Sequence, residues 1–239
     1  MTEWLPGVHA APNIQSDQAL YEVENRALDP EGKLFEAMRR ITDWSDRVVL
    51  DLGAGSGFWL PHFHTDCRHV FAVEPHGRSR VLACGRVAAL GLDRASVLAG
   101  SAERIFLPDN SVDFVHARFA YFWGPGCEPG LAEVQRVLCP GGSVFIIDND
   151  LRRGTFADWL RRAPSAYQRD PDKIDAFWKS QGFSCTEVMS EWRFDSRDDL
   201  RKVLHLEFPA EHATTYFSEH EGHTVDYGYN IYYRKGWSA

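Results

Sequence analysis

The chain has 239 residues, 44% hydrophobic and 25% charged, which is enough to bury a sizeable core without disulfide or metal staples. Its net charge of -8 repels a polyanion, so DNA and RNA are excluded as expected partners and a neutral or cationic small molecule fits better. The five cysteines are odd in number and form no C-x-x-C pair, so they read as reduced thiols of a cytoplasmic protein. No apolar run approaches the ~20 residues of a membrane span. The start, MTEWLPGVHAAPN, lacks the basic end and long apolar core of a signal peptide.

In chain order, Asp17 to Trp44 reads as two helices broken at Asp29-Pro30. RVVLDL is the first strand, with a helix expected to start near Gly57. HVFAVEP is the second strand, and GRSRVLACGRVAALG a helix closed by Gly91. ASVLAG and SVDFVHA are the third and fourth strands. EPGLAEVQRVL is a helix stopped by Pro140-Gly141-Gly142, and SVFIID is the fifth strand. Short apolar runs alternating with helical stretches imply a largely parallel sheet covered on both faces. Beyond Asp150, helices are expected over Thr155 to Arg162 and Pro171 to Gln181. SCTEVMSEWRFDS then reads as a strand, Arg197 to Glu219 as a helical insert, and VDYGYNIYYRKGW as a final strand. This suggests an antiparallel edge with a cap above it.

The loop Gly53-Ala54-Gly55-Ser56-Gly57 follows the first strand, at the strand end where open parallel sheets bind ligands. Glycines there let the backbone turn sharply and let a ligand approach closely. The spacing is G-x-G-x-G, with Phe58 where a dinucleotide fingerprint has its third glycine, and no Gly-Lys-Ser/Thr follows to make a triphosphate loop. Glu74 ends the second strand about twenty residues further on, where a carboxylate can accept both hydroxyls of a ribose. Its replacement by alanine is expected to weaken ligand binding and spare the fold. Asp51 precedes the first glycine; beside a pyrophosphate it would be unhelpful, but it would pair with a sulfonium or an amino group. The ligand therefore reads as a nucleoside with a cationic amino-acid arm.

VLDLGAGSGFW, AVEP, GSAERIFLPDNSVDFVHARFAYFW and RVLCPGGSVFIIDND, in that order, resemble the class I methyltransferases that use S-adenosylmethionine, of the small-molecule, bacterial type. The resemblance covers about Arg47 to Asp150. It implies an α/β, Rossmann-like three-layer sandwich with a seven-stranded, mostly parallel sheet whose last strand is antiparallel. It also implies one methyltransferase domain over 1–239, with a helical lid (1–45), a cofactor core (46–150) and a substrate-side half (151–239) whose helical insert spans about 197–219. Carried over residue by residue, Asp51, Gly53, Ala54 and Gly55 would surround the methionine arm of S-adenosylmethionine. Glu74 would hold the ribose, with Pro75 and His76 beside the adenine and Ser101, Ala102 and Glu103 bordering it. Arg118 and Phe119 would pass under the methionine, and Tyr21, on the lid helix with Glu22, Glu24 and Asn25, would touch the cofactor. The CPGG at Cys139 to Gly142 is taken as a structural turn.

The acceptor side is less determined. No N/D-P-P-Y/F motif follows the fourth strand, which argues against methylation of a nucleobase amine. In its place, Phe119, Tyr121, Phe122 and Trp123 read equally as a pocket wall or as core. Tyr121, Trp123, Asp148 and Asn149 are the candidate contacts to a small-molecule acceptor. His116 reads as a satisfied core histidine before it reads as a base, and no catalytic residue is assigned. Magnesium wants several hard oxygen ligands. Asp148, Asn149 and Asp150 lack a carboxylate partner after the fourth strand, and Arg118 would repel the ion, so no metal is expected. His205, His212, His220 and His223 show no ligand spacing and read as solvated or partly buried. Two other readings stand beside the methyltransferase: a protein that binds S-adenosylmethionine without catalysis, and an NAD-dependent oxidoreductase, which the glycine spacing disfavours.

Overall fold

A computed structural model describes residues 17–164 and 168–237, together with Leu5 and Val8. The rest of the expected 1–45 lid before Asp17 lies outside the described residues.

The N-terminal helices are α1 (Gln18–Ala27) and α2 (Lys33–Ile41). The core follows as β1 (Val48–Leu52), α3 (Leu60–His64), β2 (His69–Glu74), α4 (Gly77–Leu90), β3 (Ala95–Ala99), β4 (Val112–Arg118), α5 (Glu128–Val137) and β5 (Leu138–Asn149). The last part is α6 (Thr155–Arg162), α7 (Pro171–Ser180), β6 (Ser184–Arg193), α8 (Arg197–Glu207), α9 (Ala210–Glu219) and β7 (Thr224–Trp237). The seven strands form one sheet in the order β3-β2-β1-β4-β5-β7-β6. All pairs from β3 to β5 are parallel, and β7 is antiparallel to both β5 and β6. Only β7 therefore runs against the rest, as the resemblance implies.

β1 and β4 are apolar on both faces because each face is covered, which is why VVLDL and VDFVHAR read as near-continuous hydrophobic runs. On one face Phe35, Met38, Trp44, Phe63, Phe114, Phe145 and Trp192 pack together. On the other, Leu50, Val115, Leu131, Val144, Trp178 and Tyr232 do so. The short polar side chains at helix starts work as caps: Asp17 accepts from Leu20 N–H, Asp170 from Asp172 and Lys173 N–H, and Ser196 from Asp199 N–H.

Two local expectations change. No helix starts at Gly57: its φ of +71° is left-handed, and a Cβ there would approach Ala83 of α4 at 3.1 Å. The single turn of α3 begins only at Leu60. Nor does Pro140 stop α5. The helix ends at Val137, Leu138 is already extended, and Cys139 to Gly142 bulge out of β5. Leu138 pairs with Val112 and Ser143 with Phe114, so five steps of β5 face two of β4.

The strand order turns back beside β1, which lies between β2 and β4. The carboxyl ends of β1, β2 and β4 thus open on one crevice, the position in such sheets where ligands bind.

Candidate active site

The glycine loop is fixed by its own backbone. The N–H groups of Gly53 and Ala54 both donate to Val73 O, at 2.8 and 3.2 Å, so the loop is strapped to the end of β2. Gly53 has φ +78°, and a Cβ on it would sit 2.4 Å from Ala120 Cβ, in the segment after β4. Only glycine lets these two loops approach so closely.

Glu74 stands at the end of β2, 5% exposed. Its carboxylate accepts Gly55 N–H at 2.9 Å and His76 N–H at 2.8 Å. Burial raises its pKa, and the two backbone bonds oppose that. The remaining lone pairs of the carboxylate can still accept from hydroxyls. His76 Nδ1 in turn pairs with the Ser79 hydroxyl at 2.9 Å, at the start of α4.

Asp51 and His116 are register partners on neighbouring strands. His116 Nδ1 lies 2.8 Å from Asp51 Oδ1, with both side chains almost wholly buried. An ionised Asp51 requires the imidazole to donate from Nδ1. The ring packs against Phe63 at 5.0 Å and Phe35 at 6.2 Å, so the core reading of His116 holds. Yet it also lines the crevice, and Asp51 Oδ2 has no partner there.

Two residues along β4, Arg118 is 8% exposed. Its guanidinium lies over Trp59 at 3.9 Å, with Phe119 and Tyr229 rings at 5.3 and 5.5 Å. Phe119 itself adopts φ +49°, and Tyr121 φ +54°. Two left-handed non-glycine residues so close together mark a loop whose shape is imposed by its surroundings.

Helix α1 roofs the crevice. Tyr21 and Asn25 line it from above, with Asp51, Gly53, Ala54, Gly55, Ser56, Phe58, Trp59, His116, Arg118 and Phe119 below and beside them, around a space of about 380 Å³ counted to its open mouth. Burial, then the field of Glu24, raises the Tyr21 phenol well above its ordinary pKa. Glu22 latches the roof: it accepts the Ser56 hydroxyl of the glycine loop and, at 2.5 Å, Arg86 of α4. Sequence reasoning placed Glu22 on the lid but gave it no role. Its partners lie 34 and 64 residues away, so no local pattern reveals them.

The crevice thus brings together Tyr21, Asp51, Gly53, Ala54, Gly55, Arg118 and Phe119. Glu74, Pro75 and His76 adjoin it through the Gly55–Glu74 bond. Ser101, Ala102 and Glu103 follow β3, one strand further out than β2. The four acceptor candidates separate. Asn149 accepts the Tyr227 hydroxyl on the Arg118 face of the sheet. Asp148, its strand neighbour, turns to the other face and is held by Arg169 through both oxygens, at 2.8 and 2.5 Å. Tyr121 donates to Glu103 at 2.9 Å and packs over Gly130. Trp123 is 41% exposed beneath Arg169. Neither Tyr121 nor Trp123 lines the crevice; of the four loop aromatics, Phe119 does. Among the described residues no group of three or more His, Cys, Asp or Glu side chains is arranged to hold a metal. Likewise, no helix among them is long and apolar enough to cross a membrane.

Residues 49–142 match the family described as "Methyltransferase domain". An uncharacterized methyltransferase of Mycobacterium tuberculosis is 37% identical over 140 residues, 55% of this chain and 53% of that protein. A malonyl-acyl-carrier-protein O-methyltransferase of Yersinia pestis is 32% identical over 100 residues, 41% of this chain and 35% of that protein. The chain thus spans about half, or less, of the length of these curated relatives. Among solved structures, an S-adenosylmethionine-dependent methyltransferase from Aquifex aeolicus superposes with a TM-score of 0.59 at 19% identity, over 94% of this chain and 98% of that one. A putative methyltransferase of Bacillus halodurans does so with a TM-score of 0.62 at 16% identity, over 86% and 99%. At such identities these two structures share the fold.

Proposed function

We propose that the chain is a class I, S-adenosylmethionine-dependent methyltransferase that moves the methyl group of S-adenosylmethionine onto a small-molecule acceptor. The observation that carries the reading is the acid pair around the glycine loop: Asp51, with an unpartnered buried oxygen facing the crevice, and Glu74, tied to Gly55.

These groups fit the cofactor's chemistry. Asp51 Oδ2 would accept from the amino group of the methionine arm, which is a buried cation seeking a carboxylate. Glu74 would take the ribose hydroxyls, while Pro75, His76 and the Ser101–Glu103 turn border the adenine. Tyr21 would close on the cofactor from α1, and the backbone of Arg118 and Phe119 would run beneath the methionine. When bound, S-adenosylmethionine supplies an electrophilic methyl on a sulfonium whose departure leaves a neutral thioether.

The task left to the protein is to hold an acceptor in line and keep water out. The Glu22 latch on Ser56 and Arg86 holds the roof down, which supports that role for α1. The net charge of -8 argues for a small molecule over a nucleic acid as acceptor, and a cytoplasmic setting suits five cysteines with no disulfide pattern.

The test is calorimetric titration with S-adenosylhomocysteine and, separately, NAD, followed by transfer of a labelled methyl group to a small-molecule extract. Binding of the nucleoside and not of NAD is expected. Equal or tighter NAD binding would overturn the assignment, and nucleoside binding with no transfer to any acceptor would leave a binding protein.

A further inference from the structure

We infer that Arg118 is the acceptor's anchor, taking a carboxylate of a small, flat methyl acceptor between the rings of Trp59, Phe119 and Tyr229. This rests on the methyltransferase reading and adds to it a substrate class.

Arg118 Nε, Nη1 and Nη2 are buried, and none makes a hydrogen bond of full geometry; the Tyr229 hydroxyl approaches the guanidinium only as a weak acceptor. The surrounding rings offer π faces to the cation but few lone pairs for its five N–H donors. A lysine so placed could lose its proton, but a guanidinium cannot. A bare buried charge of this kind is strongly unfavourable unless something brings an opposite charge to it. Glu24 of α1 makes no hydrogen bond to the guanidinium. Glu24 is buried on α1 with Oε2 unpartnered; burial, then the field of Glu207, pushes its pKa well above the ordinary carboxyl value, against the opposing field of Arg118. The Tyr229 hydroxyl is buried on the same side of the sheet; burial raises its pKa, and the Arg118 guanidinium is close enough to oppose that rise. A planar fork of donors beside the Tyr229 phenol, walled by aromatic rings, matches a carboxylate on a flat body.

The cofactor carries a carboxylate of its own, so the source must be argued. The groups assigned to the nucleoside lie on β1, β2 and β3, on one side of β4. Tyr229 lies on β7, beyond β5 on the other side. The guanidinium lies on Trp59, in the loop after β1, at 3.9 Å and extends toward the Tyr229 ring of β7 at 5.5 Å. On the β7 side, away from the groups assigned to the nucleoside, the anion it takes is the acceptor's.

The experiment titrates acetate, benzoate and phenylacetate, with benzamide as control, into protein saturated with S-adenosylhomocysteine. It is repeated with Arg118→Met and Arg118→Lys, each shown folded by near-ultraviolet circular dichroism. At least one carboxylate should bind wild type while benzamide does not. That affinity should fall at least about tenfold in Arg118→Met and less in Arg118→Lys, with S-adenosylhomocysteine affinity held within about twofold. If the nucleoside loses about tenfold in Arg118→Met and carboxylate binding does not change, Arg118 serves the cofactor's carboxylate and the inference falls. It falls equally if wild type binds acids and benzamide alike, or binds none. Wild type that binds no S-adenosylhomocysteine fails the earlier reading instead, and the acid–amide comparison without nucleoside still reads the anion site.

Discussion

Removing the carboxylate of Glu74 should act on the protein in two separable ways. Its two backbone bonds, to Gly55 and His76, are buried, and losing the acceptor strands both N–H groups. Each stranded group costs about 1–3 kcal/mol, so Glu74→Ala should be about 2–6 kcal/mol less stable than wild type. For a chain of this size that lowers the thermal midpoint by about 4–24 °C. The sequence alone suggests that this substitution spares the fold; the two bonds predict a stability cost beside the binding loss. Binding should suffer separately. Charge-assisted bonds to two ribose hydroxyls are worth about 1.5–3 kcal/mol each, so affinity for S-adenosylhomocysteine should drop by about tenfold or more. Glu74→Gln is the cleaner variant: its single amide oxygen keeps one N–H satisfied, yet it offers no anion to the ribose. Calorimetry on folded Glu74→Gln, at a temperature well below its midpoint, separates the two effects. An unchanged dissociation constant in that variant would mean that Glu74 only braces the glycine loop, and the ribose assignment would be lost.

Four further outcomes are expected. Asp51→Asn should weaken S-adenosylhomocysteine about tenfold but leave 5′-methylthioadenosine, which lacks the amino-acid arm, nearly unchanged; equal losses in a titration of both would place Asp51 elsewhere. Glu24 has a folded pKa above its ordinary value of 4.5, so its stabilising share is present below that pH and is lost as pH rises through the folded value. Urea midpoints from about pH 4.5 to about pH 8 should therefore fall in wild type relative to Glu24→Gln, and parallel curves would contradict the assignment. Gly53→Ala should unfold at lower denaturant, because its Cβ would meet Ala120 at 2.4 Å on a left-handed backbone. Methyl transfer should persist in excess EDTA, since Asp148 already spends both oxygens on Arg169; loss on chelation and recovery with magnesium would show a metal step.

The parts of the fold legible in the sequence were those with short-range causes. The apolar runs give the strands, Gly91 gives the end of α4, and the helical stretch from Arg197 to Glu219 gives the insert, which folds as α8 and α9. The approach of Gly55 to Glu74 is legible because the spacing is set by one β–α–β unit. What failed has a different origin. Asp148 and Asn149 look alike in sequence, but strand alternation sends one to Arg169 and the other to Tyr227, and which face meets the crevice depends on the whole sheet. Tyr121 and Trp123 turn away because the loop after β4 takes left-handed steps that no periodicity announces. His116 was read as core, and it is; that it also pairs with Asp51 follows from β1–β4 register, which a strand list without pairing does not contain. Arg118 gave the weakest signal, since its lack of partners is visible only when every neighbour is placed.

These placements share one geometric consequence for the chemistry. Asp51, His116, Arg118 and Asn149 lie on one sheet face, at the carboxyl ends of β1, β4 and β5, with Tyr229 on β7 opposite Asn149. Neighbouring strands are about 4.8 Å apart, so the row from β2 to β7 spans roughly 19 Å. Displacement at a sulfonium methyl requires nucleophile, carbon and sulfur on one line. If ribose is held at β2, the amino group at β1 and the acceptor carboxylate at β4, as proposed, a reacting axis along this row needs no moving domain to bring the partners together. It needs only a roof that keeps water off the row, and α1, pinned by Glu22 to the glycine loop and to α4, lies where such a roof is required.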